Sequence, residues 1–294
     1  MQLETDGQTP GRAQGAGAMM GLLRKGMFVG IGLLLLMPQA KTAKGYAMPT
    51  QNACRLSVVY NNVPLKAGLQ TAWGFACIVE LPDRIVLFDT GGNGSVLLSN
   101  MKAMGFSPEE VDAVVLSHLH GDHTGGLGAF LAENPQVTVY MPVVFPESLK
   151  TELLSLGTRV VSVDGPQKLF DGVYSTGVMG REIQEQALIL DTGPGCVLLT
   201  GCAHPNVAAM AEQARDVMGK DIVLLLGGFH LGGSSQAEIH SVCTRLQALG
   251  VQKIAPSHCT GEQAIRVFRQ KWGKDFIQGG LGARANVPQG VSSD

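Results

Sequence analysis

Ser117-His118-Leu119-His120-Gly121-Asp122-His123 packs three imidazoles and a carboxylate into seven consecutive residues, and its reading decides the fold of this 294-residue chain. His118 and His120 are two apart, so on an extended segment they project to one side and reach a single ion together. Gly121 is expected to let the backbone turn sharply and bring Asp122 and His123 round to the same pocket, where they complete the first ion's shell or hold a second. Residues 111–116 (Val-Asp-Ala-Val-Val-Leu) read as a buried strand. That strand delivers the cluster to a carboxyl end, the place where open α/β sheets bind ligands. Thr124-Gly125-Gly126-Leu127 then opens a helix.

Outward from this stretch the pattern alternates. Strands are expected over 54–60, 74–80 and 84–89, followed by Ser107-Pro108-Glu109-Glu110, a capping box with proline at the first helical position. Downstream, 137–141, 159–163, 172–176, 187–190 and 196–200 read as strands, with a helix over 147–156. The last third predicts helices over 205–218 and 238–249 and strands over 221–226 and 252–255. Two β-rich halves with helices outside fit an α/β fold of the αββα sandwich type.

Hydrophobic residues make up 45% of the chain and charged residues 16%, which fits one catalytic domain over residues 48–294. A net charge of -2, no Lys/Arg run and 5% aromatic content leave no footprint for nucleic acid, so a small-molecule substrate is expected. Residues 1–47 are organised differently. Arg24-Lys25 precedes the apolar run 27–37, then Pro38 and small residues lead to Gly45-Tyr46-Ala47, a signal-peptide pattern with cleavage after Ala47 or Ala43. The run is shorter than the roughly 18 residues that span a bilayer, so export, to a periplasm, is expected, with membrane contact only through this segment; an uncleaved anchor is the alternative. Met19 or Met20 makes a more conventional start for such a segment than Met1. Six cysteines allow up to three disulfides, with no pairing assignable, and an odd number remains if Cys202 serves a metal.

The pattern His-x-His-x-Asp-His after a strand, at His118, His120, Asp122 and His123, resembles the metallo-β-lactamase fold superfamily. A second mark is the strand 85–88 ending in Asp89-Thr90-Gly91. The resemblance implies that Asp89 supports the metal loop by hydrogen bonding a ligand imidazole, whose other nitrogen needs an acceptor. In many members an isolated histidine completes the first metal and a later aspartate bridges both. Here no histidine lies between His123 and His204. Either His204 takes that role, with Cys202 near the bridging-carboxylate position, or the site holds one metal with fewer ligands. His258, in Ser257-His258-Cys259-Thr260-Gly261 after the last strand, is the sixth candidate ligand. His230, in Gly227-Gly228-Phe229-His230-Leu231, is a candidate for substrate anion binding or general acid catalysis, and the paired glycines permit close backbone approach. His240 reads as a surface or interhelical residue.

Together with Gly201-Cys202-Ala203-His204-Pro205, these motifs resemble the dihydropterin ribofuranosyl-aminobenzene phosphate synthase-like branch of the superfamily. The expected activity is metal-dependent hydrolysis of a small-molecule ester, phosphoester or amide-type bond, by water activated to hydroxide on one or two zinc ions. Asp122 orients that water and carries its proton. Manganese or iron would also suit a carboxylate-containing site. The alternatives are a synthase-like transferase, which needs a phosphate pocket built from Gly227, Gly228 and His230, a β-lactamase, and a metal-binding or redox protein with little catalysis.

Overall fold

Phe75–Glu80 has no exposed residue, and its side chains divide by parity between two apolar cores. Phe75, Cys77 and Val79 join one cluster, Ala76 and Ile78 another, as the two-residue period of a strand requires when both faces are covered. A computed structural model describes residues 53–288 and shows why. The expected signal segment and its cleavage points lie outside the described residues.

The first half runs β1 (Ala53–Asn61), β2 (Phe75–Glu80), β3 (Ile85–Phe88), α1 (Gly94–Met104), β4 (Ala113–Val115), α2 (Gly121–Thr124), α3 (Leu127–Glu133), β5 (Thr138–Pro142), α4 (Glu147–Ser155) and β6 (Arg159–Val163). The second runs β7 (Gln167–Phe170), β8 (Val173–Ser175), β9 (Leu188–Asp191), β10 (Cys196–Thr200), α5 (Val207–Met218), β11 (Ile222–Gly228), α6 (Gln236–Ala248), β12 (Lys253–Ser257), α7 (Glu262–Trp272) and β13 (Arg284–Pro288). A seven-stranded sheet has the order β13-β1-β2-β3-β4-β5-β6 and a six-stranded sheet the order β12-β11-β10-β9-β8-β7.

The two sheets face each other across a core that includes Phe75, Phe88, Val115, Leu188, Leu199 and Leu226. Outside the first sheet, Leu97 and Met101 of α1 and Phe130 of α3 pack on Ile78, Leu87 and Val114. Outside the second, α5, α6 and α7 bury Met210, Ile239 and Phe268 against Leu198, Leu225 and Ile254. This is the four-layer αββα sandwich expected from the sequence.

Strands β3, β4, β5 and β6 pair in parallel, as do β10, β11 and β12. Parallel strands put their carboxyl ends at one edge, so the segments after β3, β4, β10, β11 and β12 converge there. Three local expectations are corrected. The capping box at Ser107, whose backbone N–H donates to Glu110 Oε2 at 3.3 Å, opens only a single 3-10 turn, Pro108–Glu110, before the chain extends into β4. Gly121 is not among the residues with positive φ, and a Cβ there would meet nothing within 4 Å. The sharp turn is made by the one-turn helix α2, with His120 as its N-cap. The six cysteines are all buried free thiols, so no disulfide forms.

Candidate metal centre

At the end of β3, Asp89 is fully buried with φ 57°, a left-handed conformation that costs a non-glycine residue energy and is kept where the surroundings enforce it. Its Oδ1 accepts from the Ser117 N–H at 2.7 Å, and its Oδ2 accepts from the Ser117 hydroxyl and lies against His123 Nδ1, each at 2.7 Å. Thr90 clamps the same loop, its N–H and hydroxyl both donating to the His123 carbonyl at 2.8 and 2.9 Å. The Asp-Thr-Gly corner is therefore bonded directly to the histidine loop.

These contacts fix the imidazole tautomers. Ser117 gives its one proton to Asp89, so its oxygen, 2.9 Å from His118 Nδ1, accepts from that nitrogen. His123 Nδ1 donates to the Asp89 carboxylate, and His258 Nδ1 donates to Asn62 Oδ1 at 2.7 Å. In all three rings the Nε2 lone pair is left for a ligand, the usual arrangement of a ligating histidine with an acceptor behind it.

Those lone pairs converge. His123 Nε2 and His258 Nε2 stand 3.2 Å apart, Asp122 Oδ2 is 3.3 Å from His258 Nε2 and 3.7 Å from His123 Nε2, and Cys202 Sγ is 3.3 Å from His123 Nε2. Ligand nitrogens about 2.0–2.1 Å from a tetrahedral ion are roughly 3.3–3.4 Å from one another, so this set fits a first-row divalent cation. Two facing lone pairs at such a distance repel unless positive charge lies between them. A second group, His118, Cys202 and His204, also has its donor atoms within 4.8 Å of one another. Here the buried Nε2 atoms of His118 and His204 have no hydrogen-bond partner, a cost that a metal ion at this point removes.

The loop after β10 carries Cys202 and His204. It is held by Glu185, whose fully buried carboxylate accepts from the backbone N–H groups of Cys202, Ala203 and His204, each at 2.9 Å. Asn206 then caps α5. After β11, His230 has φ 49°, its ring centroid 4.1 Å from that of His204. After β12, His258 has φ 52° and is stacked at 5.0 Å by Trp73, which is 60% exposed and stands at the mouth of the site.

The electrostatics favour cations and neutral imidazoles. Burial, then the charges of His123, His204 and His120, hold His118 well below the ordinary histidine range, and burial followed by His230 and His120 brings His204 down to about 4. Burial opposes charge on His123, but the charge and hydrogen bond of Asp89 outweigh it and raise that pKa, so positive charge at its Nε2 is stabilised. Burial also opposes ionisation of Asp122, yet the His258 hydrogen bond and the charges of His123 and His258 keep its carboxyl below the usual range. Burial pushes Glu185 up to about 7 against the three amides that bond it.

Of the residues singled out in the sequence, His118, Asp122, His123, His204 and His258 fall into these donor groups. His120 is exposed, its ring centroid 4.7 Å from that of His118 and 4.9 Å from that of His204, outside the tight groups. His230 joins a third group with Cys202 and Cys259. His240, on α6, stands apart from these groups. The glycines Gly227 and Gly228 do not form an open anion cradle. A Cβ at Gly227 would lie 2.0 Å from the Thr200 carbonyl oxygen, and one at Gly228 2.5 Å from that of Gly201 and 2.7 Å from Cys259 Sγ, so protein atoms already fill the space. Sequence reading missed Glu185, Asn62 and Trp73. The one signal for Glu185 is an acid three residues before the apolar run Leu188-Ile189-Leu190 that opens β9.

Comparison with known proteins agrees with this architecture. Residues 74–206 match a family described as the Metallo-beta-lactamase superfamily. The chain is 29% identical over 236 residues, 65% of its own length and 80% of the relative's, to 7,8-dihydropterin-6-methyl-4-(beta-D-ribofuranosyl)-aminobenzene-5'-phosphate synthase of Methanocaldococcus jannaschii. A solved metal-dependent hydrolase of the beta-lactamase superfamily superposes with TM-score 0.66 at 25% identity, covering 79% of this chain and 98% of that one. The metallo-beta-lactamase fold protein YhfI from Bacillus subtilis superposes with TM-score 0.62 at 14% identity, over 80% and 99% of the two chains, and shares the fold. The segment that matches the metallo-beta-lactamase superfamily carries both the Asp-Thr-Gly corner and the histidine loop, inside a sandwich similar along most of its length to a solved metal-dependent hydrolase of that superfamily.

Proposed function

We propose that the protein is a hydrolase of small molecules with a dinuclear, zinc-class metal centre. His118, His120 and His204 would hold one ion, and Asp122, His123 and His258 the other; the His120 ring lies beside the first group, its centroid 4.7 Å from that of His118. The observation that carries this reading is the convergence of Nε2 lone pairs whose Nδ1 protons are already committed, with His118 Nε2 and His204 Nε2 buried and unpartnered. When bound, such ions act as Lewis acids and lower the pKa of coordinated water to about 7.

The chain's own residues do the rest. Asp122, ionised and half-buried, accepts the proton of the attacking water and aims its lone pair. His230 is exposed on a cleft of about 280 Å³ also lined by His204, Asn206, Phe229 and Leu231, where its imidazole binds a substrate anion or protonates the leaving group. Its pKa is raised, first by a hydrogen bond with Cys259 and against the effect of burial, which suits an acid. Trp73 offers an exposed ring face beside His258 for an apolar or planar part of the substrate.

A transferase is the second reading, favoured by the 29% identity to a synthase. Its phosphate pocket would have to use His230 and the cleft rather than the filled Gly227-Gly228 turn. The test is zinc-loaded protein assayed against a chromogenic phosphodiester, a lactone and a β-lactam. Hydrolysis of at least one, lost on chelation, restored by zinc and lowered about 10²–10⁴-fold in Asp122→Asn, supports the proposal. Hydrolysis that survives chelation counts against it, and condensation of a pterin substrate without hydrolysis favours the transferase.

A further inference from the structure

Cys202 is the one residue common to all three donor groups: with His118 and His204, with Asp122, His123 and His258, and with His230 and Cys259. In each group the donor atoms lie within 4.8 Å of one another, so its sulfur sits at the junction of the two proposed metal positions. Only 3% of the residue is exposed, and its backbone is pinned by Glu185.

Charge argues for an anion at that junction. Two dications roughly 3.5–4 Å apart repel strongly and are normally bridged by an anionic ligand. Asp122 is the one carboxylate in these groups among the described residues, because Glu185 spends its oxygens on three backbone N–H groups. Neutral histidines supply the other donors. The neighbouring thiol, Cys259, reaches the Cys202 carbonyl at 3.6 Å, accepts from the His230 N–H at 3.3 Å and lies against the Cys202 and His230 side chains, so it belongs to the third group alone. The Cys202 sulfur also lies 3.3 Å from His123 Nε2, and the buried, unpartnered His118 Nε2 is aimed into its other group.

We infer that Cys202 is a bridging metal ligand, its thiolate standing between the two ions in place of a bridging carboxylate. The inference rests on the dinuclear reading above. Binding releases the thiol proton to solvent, and a sulfur bridge selects borderline-soft ions such as zinc over magnesium or manganese.

Full-length protein stripped with a chelator and titrated with cobalt(II) alone tests this. Wild type and Cys259→Ser should bind two equivalents and develop a near-ultraviolet thiolate-to-cobalt charge-transfer band. Cys202→Ser should lose the band and bind one cobalt fewer, whereas Cys202→Asp should bind two with no band. Two equivalents without a charge-transfer band in wild type, or a band that persists in Cys202→Ser, would overturn the bridging role and leave the dinuclear centre standing. Failure of wild type to bind cobalt stoichiometrically would overturn both. Should Cys202→Ser not fold, the wild-type and Cys259→Ser spectra still decide.

Discussion

Asp89 touches no proposed metal position, yet its two oxygens hold Ser117 and orient the rings of His118 and His123. Asp89→Asn keeps the shape and removes the charged acceptor, so metal affinity should fall about 10–100-fold in a competition titration against a chromophoric chelator. An unchanged affinity would show that the tautomers are set elsewhere. Glycine roles separate as sharply. Gly121→Ala meets open space and should change unfolding free energy by no more than about 0.5 kcal/mol, while Gly228→Ala drives a methyl into the Gly201 carbonyl and Cys259 and should cost about 1–3 kcal/mol by urea denaturation. The histidine loop was legible because its candidate ligands lie within a few residues on one strand end. Glu185 and Asn62 were not, because the atoms they bond come from segments that only the folded chain brings near.

At the scale of elements, legibility followed local pattern. Strands β2, β4, β10 and β11 are runs of apolar residues bounded by turns, and α5 and α6 carry their own caps at Asn206 and Ser235. Strand β13 is recognisable only from its pairing with β1, more than 200 residues earlier, and β7 only as the edge partner of β8. Helix α1 has a readable cap, Asn93 accepting from the Val96 N–H with Gly105 ending the helix at φ 88°, and was unassigned in the sequence. Helix α7 was unassigned despite a clear apolar stripe of Ala264, Val267, Phe268 and Trp272. Because Phe268 is fully buried between Phe229 and Trp272, Phe268→Ala should cost about 3–5 kcal/mol in urea, with metal stoichiometry of the folded protein unchanged. A cost under about 1 kcal/mol would mean that α7 contributes little to the outer core.

For the molecule as a whole, the buried site makes stability depend on pH in two opposing ways. His118 lies well below the ordinary histidine range and His204 is brought down to about 4. The unfolded chain therefore binds protons there that the folded chain refuses, and stability falls as pH drops from about 6.5 toward 4. Glu185, pushed up to about 7, binds its proton more tightly when folded, so its contribution is present at low pH and lost as pH rises from about 4.5 to 7. Glu185→Gln removes the second effect. In chelator, the variant should lose stability more steeply than wild type as pH falls from 6.5 to 4.5, by up to about 1.4 kcal/mol per pH unit; parallel profiles would count against a protonated Glu185. The central claim, two adjacent metal positions at the shared edge of two sheets, is tested most directly by elemental analysis of zinc-reconstituted protein. A dinuclear centre gives about two equivalents in wild type and about one in each of His118→Ala and His258→Ala, whereas no bound metal in wild type, or wild-type content in both variants, would contradict it.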